Sequence, residues 1–537
     1  MQKPITQIVI VGGGTAGWIT AGLLAAEHNV DKGVLAHAPK LNITLIESPD
    51  VATIGVGEGT WPSMRSTLSK IGIDENEFIR RCDASFKQGS RFIHWRNDPA
   101  KGNQADTIAQ SDTIAQSNRY LHPFSLPHGH QELDLCPFWL PHADQVSFAE
   151  AVSSQEILSQ LGLAPKSISS AQYHFQNNYG YHLDAGKFSQ LLSEHCTQKL
   201  GVTHIRDHVC QIINNDQGDI DKLITTEHGE ISGQLFIDCT GTKSLLLGEH
   251  LQVPFLCQKS VLFNDSALAV QVPYSNENSP IASCTHSTAQ QNGWIWDIGL
   301  PTRKGVGYVY SSSHTNDIDA EQILINYLGV DAASADKLQP RKLSFNPGYR
   351  AKCWQNNCIA IGMAAGFIEP LEASALALIE WTASTIAQQL PPNRQTMDTI
   401  AARVNQRYQW HWQQIIDFLK LHYVISQREV DSYWRDHRES NSIPDSLQAM
   451  LELWRYQVPS QFDISYKEAL FPAASFQYVL YGMGFNTQLP THVKPSMQQA
   501  AQRLFNDNQQ RTQALSKSLP SNRALLDKVA QYGFPKL

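Results

Sequence analysis

A chain of 537 residues, 42% hydrophobic and 17% charged, is long enough for more than one core and too apolar for disorder to dominate. Its net charge of −8, with Lys and Arg scattered rather than gathered into a stripe, argues against an extended nucleic-acid footprint and for small-molecule chemistry. Nine cysteines, odd in number and without a Cys-x-x-Cys pair, give neither a disulfide framework nor a zinc ribbon, so a reducing, cytoplasmic setting is expected.

The opening Met1-Gln2-Lys3-Pro4 lacks the basic start and apolar core of a secretory signal. No stretch approaches the ~18 unbroken apolar residues of a membrane span, so a soluble protein is expected. Gln7 to Val11 reads as a strand, Gly12-Gly13-Gly14-Thr15-Ala16-Gly17 as a tight turn, and the following segment through Trp18, Ile19, Leu23 and Leu24 as a helix. Leu41 to Ile46 is a second strand ending at Glu47, and the 29 residues between Gly17 and Glu47 leave room for one helix and a loop. Together these make a βαβ unit.

The glycines sit where a dinucleotide turn needs them. Gly12 permits the tight turn, Gly14 lets a pyrophosphate approach the backbone, and Gly17 lets helix and strand pack closely. The amides of the helix start, at Thr15 and Ala16, then face the phosphates, and Glu47 is placed to accept hydrogen bonds from ribose hydroxyls.

Residues 98–118 are polar and contain Asp-Thr-Ile-Ala-Gln-Ser twice in tandem, at 106–111 and 112–117. So short a duplication is no solenoid, and a surface loop tolerant of insertion is expected. His122, His128, His130, Cys136 and His142 fall in one stretch, but their spacing fits no zinc pattern, and no metal is expected. Leu235 to Thr242 is another apolar strand ending in a Thr-Gly turn, as in two-dinucleotide-fold flavoproteins. Residues 358–366 form a later strand leading past Gly362 to a glycine-flanked helix start, where such enzymes hold the flavin. No second fingerprint for NAD(P)H follows, so reducing equivalents are expected from elsewhere. After a helix over 374–390 the Pro391-Pro392 pair marks a change to long helical patterns. The predicted fold is α/β: a Rossmann-like, two-dinucleotide FAD-binding domain of the flavin monooxygenase type over 1–390, with inserted substrate-side elements, and a helical capping domain over 391–537.

Seven segments in order, Gly12 to Trp18, Ile54 to Pro62, Phe86-Lys87, Tyr181 to Ala185, Leu235 to Gly241, Trp294-Ile295-Trp296 and Gly366 to Glu372, resemble the flavin-dependent tryptophan halogenase family. The resemblance implies FAD arriving as FADH2 from a separate reductase, O2, and chloride or bromide, which is oxidised to hypohalous acid. That acid reaches an essential lysine, here Lys87, which acts as a haloamine or as a hydrogen-bond donor. Glu372 matches the carboxylate that orients the oxidant or takes the arene's proton. The flavin site extends by resemblance to Gly57, Glu58, Gly362 and Leu371. The halide meets the amides of Ser374 and Ala375, and His122 and Phe124 sandwich an indole. Trp294 and Trp296 keep substrates from the flavin, while pairing two apart on a strand also suits a core. A homodimer is compatible with this reading.

Two departures stand out. The family's Ser-Thr-Gly is Ala373-Ser374-Ala375 here, and its W-x-W-x-I-P reads Trp294-Ile295-Trp296-Asp297-Ile298-Gly299, with a proline only at Pro301. The first suggests an altered halide preference, for example toward bromide. The groups that tryptophan-specific members place for the amino acid's ammonium and carboxylate are not recognisable around Tyr466 to Phe476, so tryptophan stands beside other indoles and phenols as substrate. A flavin monooxygenase and a flavin-binding protein without catalysis are the competing readings.

Overall fold

The computed structural model describes residues 3–30, 40–51, 57–99, 118–330, 338–464, 469–488 and 494–536. The duplicated hexapeptide, Ile54-Gly55-Val56 and Tyr466 lie outside them. The chain forms two interleaved units. The first comprises residues 1–84, 183–258 and 346–413, and the second 85–182, 259–345 and 414–537. The boundary expected near residue 390 follows a change of sequence texture, whereas this division follows packing.

In the first unit, six strands run in the order Trp354–Gln355, Cys358–Ala360, Leu235–Asp238, Gln7–Val11, Asn42–Glu47, Thr203–Arg206. All neighbours are parallel except the terminal Trp354–Gln355 pairing. The three predicted strands at its centre are apolar because helices cover them. Helix Thr15–His28 buries Trp18, Ile19, Leu23 and Leu24, and helices Ala185–Lys199 and Ser374–Gln388 pack against it. A parallel sheet of this kind needs crossovers, and the first, from Val11 to Asn42, holds the glycine turn.

The second unit is built on a seven-stranded sheet in the order Arg341–Ser344, Ser266–Pro273, Arg303–Tyr310, Gly293–Gly299, Thr285–Gln290, Gly89–Ile93, Arg119–Pro123. It is antiparallel except where Thr285–Gln290 lies parallel to Gly89–Ile93. Leu268, Val270, Ile295, Val306 and Tyr308 cover one face against Leu324 of helix Asp317–Leu328. Trp294 and Trp296 share the other face. Trp294 is 1% exposed with Trp95 at 6.2 Å, and Trp296 lies over Gly307. The missing proline has a local consequence: Gly299 stays in the ladder opposite Lys304, and the turn closes beyond it through a Leu300 N–H to Arg303 carbonyl bond of 2.9 Å.

The nine cysteines are all unpaired. Among the described residues no helix is long and apolar enough to cross a membrane, and no group of three potential metal ligands gathers.

A Cβ added at Gly307 would stand 2.1 Å from Trp296 Cζ2. Gly307→Ala should therefore destabilise the protein by about 1–3 kcal/mol through overpacking, read from the urea midpoint at unchanged slope.

Candidate functional site

The first unit collects the predicted nucleotide residues. Gly12 has φ +117°, and a Cβ there would fall 2.1 Å from the Cys239 carbonyl oxygen. At Gly17 a Cβ would fall 2.0 Å from the Gly12 carbonyl oxygen, so neither position admits a side chain. A Cβ at Gly14 would meet nothing within 4 Å, which suits the glycine whose backbone a phosphate approaches. Glu47 lies over Gly13, a Cβ there standing 2.2 Å from its Cδ. Its Oε2 is 2.8 Å from His204 Nε2, while no described residue engages Oε1. That leaves an acceptor where the ribose hydroxyls of an adenosine would lie. Gly362, at φ +70°, touches the same helix start, since a Cβ there would reach Ala16 Cβ at 2.9 Å. Thr15, Ala16 and Gly362 thus line one place, and the residues present fit FAD.

Glu58 follows Gly57 in the short strand Gly57–Gly59. Its Oε2 is buried without a hydrogen-bond partner among the described residues, and burial together with the nearby Asp184 pushes its carboxyl up to about 7. Leu371 is fully buried. After it the backbone turns left-handed at two residues that are not glycine, Glu372 at φ 64° and Ala373 at φ 55°, before Ser374 returns to the right-handed region and opens helix Ser374–Gln388. Each costs about 1–2 kcal/mol relative to a right-handed residue. Glu372 therefore stands ahead of the helix rather than in its first turn. The Trp61 indole N–H donates to the Glu372 carbonyl at 2.7 Å. The amides of Ser374 and Ala375 follow this left-to-right change, at the start of the helix.

One buried acid of this unit is not singled out by the sequence motifs. Glu380, 3% exposed, accepts hydrogen bonds from the Ser63 and Thr67 hydroxyls at 2.9 and 2.5 Å. Burial pushes its carboxyl up to about 7 against the opposing hydroxyls. Its only signal in the sequence is a single acid in an otherwise uncharged helix.

The second unit holds Lys87, His122, Phe124, Trp294 and Trp296. Lys87 is the last residue of strand Ser85–Lys87, whose partner strand aligns Ser85 with His182, Phe86 with Tyr181 and Lys87 with Gly180. Alternation along the strand puts Ser85, Lys87 and His182 on one face and Phe86 and Tyr181 on the other. Gly180 supplies no side chain beside the lysine. Lys87 is 1% exposed, and its Nζ lies 5.2 Å from the centre of the Phe124 ring. Phe124 is fixed by its backbone N–H, which donates to the Gln88 carbonyl at 2.9 Å. His122 is buried, its Nε2 hydrogen-bonded to Ser475 Oγ at 3.0 Å, with Phe418 and Tyr478 around the ring.

His182 was hidden inside a matched segment with no signal of its own. Its Nε2 bonds Thr285 Oγ1 at 2.8 Å, and its buried Nδ1 has no partner among the described residues. Burial first, then Lys87 and His286, hold its imidazole well below the usual histidine range, so it is neutral. The amine of Lys87 thus lies beside the Phe124 ring and near the neutral imidazole of His182.

A sequence profile described as tryptophan halogenase matches residues 7–502. The tryptophan halogenase of Shewanella frigidimarina, known from a crystal structure, is 86% identical, with each chain covered over 100% and a TM-score of 0.96. The 7-chloro-L-tryptophan 6-halogenase KtzR of Kutzneria is 31% identical over 97% of this chain and 99% of its own. The tryptophan 6-halogenase SttH of Streptomyces toxytricini is 30% identical over 89% of both chains.

Because the Glu380 carboxyl is raised above its unfolded value of 4.5 to about 7, the native state binds the extra proton between those values. Its contribution to stability is thus largest at low pH and falls as pH rises through that window, by up to about 3 kcal/mol. Glu380→Gln should flatten this part of the pH dependence and unfold at no lower a urea concentration than the parent at pH about 8.

Proposed function

The chain belongs to the tryptophan halogenase family, and we propose that it halogenates an electron-rich aromatic molecule of the indole class, with Lys87 as the group that receives hypohalous acid. FAD would be held by Gly12, Gly14, Thr15, Ala16, Gly17, Glu47, Gly57, Glu58, Gly362 and Leu371. Bound there in reduced form and supplied by a separate reductase, it would give two electrons to O2, which takes two more from chloride or bromide, so that hypohalous acid and water result. The halide would rest on the amides of Ser374 and Ala375, at the left-to-right change in the backbone.

The observation that carries this reading is the burial of Lys87. A lysine is seldom 1% exposed, because desolvating an ammonium is expensive. Here the amine is set against Phe124 and the neutral His182. Lost charge is what makes the amine nucleophilic toward an electrophilic halogen, while a retained N–H polarises the acid by hydrogen bonding. Phe124 and the Ser475-fixed ring of His122 offer flat surfaces to an aromatic substrate. Glu372 would orient the oxidant or take the proton that the arene loses.

The fit to FAD, the family membership and the retention of both Lys87 and Glu372 favour halogenation over direct oxygenation and over a binding role without catalysis. The test is incubation with FAD, a generic flavin reductase, NADH and halide against a panel of indoles and phenols, read by mass spectrometry. Products should gain halogen, and Lys87→Ala should abolish that gain while flavin binding persists. A mass gain of oxygen alone, or activity retained without the lysine, would refute the assignment. With Ala373 in place of the family's serine, equimolar chloride and bromide should yield mainly brominated product. A strong preference for chloride would exclude a role for that substitution.

A further inference from the structure

The left-handed pair Glu372–Ala373 is tied to a helix distant in sequence at two points. Helix Ser63–Ile71 carries Ser63 and Thr67 four residues apart, hence on one face, and both hydroxyls donate to the Glu380 carboxylate. The same helix is entered through Trp61-Pro62, with the Met64 N–H donating to the Trp61 carbonyl at 3.1 Å and the Arg65 N–H to the Pro62 carbonyl at 3.3 Å. Trp61 in turn donates its indole N–H to the Glu372 carbonyl at 2.7 Å. The connections close into a ring: Glu372, the following helix, Glu380, the Ser63–Thr67 face, Trp61, and Glu372 again.

We propose that Trp61 and Glu380 are positioning residues that hold Glu372 and Ala373 left-handed and so set the affinity of the Ser374–Ala375 amides for halide. The inference rests on the halide reading above. Its logic is geometric. If Glu372 relaxed toward the right-handed region its carbonyl would swing off the Trp61 N–H, and the amides behind it would turn with the chain. Both hydroxyls donate to the carboxylate, whereas a glutamine offers one acceptor oxygen and would require the other hydroxyl to reverse and accept from its amide N–H.

The helix of Glu380 has no other charged residue. On the Ser63–Thr67 face, Lys70 pairs with Glu27 of the first helix at 2.6 Å, while Arg65 lies off that face. His28, also of the first helix, engages the Ala387 carbonyl at 2.8 Å. The carboxyl titrates at about 7 under the control of burial and its two hydroxyls. Below that pH the acid keeps a proton, one oxygen becomes a donor, and one of the two hydroxyls must reverse to accept from it.

The experiment compares wild type, Trp61→Phe, Glu380→Gln and the double variant Ser63→Ala/Thr67→Val. Halogenation rates are measured against chloride and bromide concentration across about pH 6 to 8.5, beside Tm, FAD titration and line broadening of the bromide NMR signal. Each variant should raise the halide KM and weaken bromide binding about 5–10-fold, the scale of one lost hydrogen bond, with a smaller change in kcat. The wild-type halide KM should rise as pH falls through about 7, and Glu380→Gln should remove that slope. Folded variants with wild-type halide KM, bromide line widths and pH slope would overturn the brace. Absence of halogenated product from the wild type would instead strike the functional reading, and the bromide titration would still decide the brace.

Discussion

The close approach of the Cys239 carbonyl to Gly12 governs the first unit. Any side chain at residue 12 would collide with that oxygen, and with Gly12 forced into positive φ the chain leaves the Gln7–Val11 strand at a fixed angle. The parallel register of Val11 with Asp238 and of Ile46 with Val11 sets where that carbonyl stands. The helix start then follows from Gly17, which accepts the Gly12 carbonyl where a side chain would be. Glu47 arrives beside Gly13 because its strand runs in register with the first. One backbone contact thus places the turn, the helix dipole and the acid together.

The same unit spends stability on irregularity. Two left-handed residues without glycine, and carboxyls at Glu58 and Glu380 held near neutrality by burial, are each unfavourable in isolation. They persist because neighbours over-determine them: the Trp61 bond for the backbone, the Ser63 and Thr67 hydroxyls for Glu380. The left-handed pair is followed at once by helix Ser374–Gln388, so regular structure resumes directly after it. Local rules are commonly broken where a protein does chemistry.

Much of this was legible in the sequence, and the reasons differ by residue. The strands 7–11, 42–47 and 235–238 read from apolar runs because a parallel sheet buries both faces. The glycine turn read from spacing because only glycine tolerates the approaches that Gly12 and Gly17 make. Lys87 and Glu372 came from resemblance, since neither a buried lysine nor a left-handed glutamate has a periodicity to betray it. The interleaving of the two units was not legible, because each stretch contributes strands whose partners lie hundreds of residues away. His182 and Glu380 were invisible for a similar reason: their partners, Thr285 in one case and Ser63 and Thr67 in the other, are set by tertiary packing.

The alternation of the Ser85–Lys87 strand sorts the aromatic residues by chemistry. Behind it, on the side of Phe86, stand Tyr179 and Tyr181, with ring centres 5.2 and 6.2 Å from the phenyl. On the lysine's side lie the Phe124 ring, 5.2 Å from the amine, and the imidazole of His182. Phenols surrender a ring hydrogen to electrophilic halogen far more readily than benzene rings do, and the strand's backbone stands between the amine and the phenols of Tyr179 and Tyr181. Were the oxidant held at that amine, as proposed, it would meet the Phe124 phenyl, a surface that it attacks slowly, while the strand's pleat keeps Tyr179 and Tyr181 on its other side.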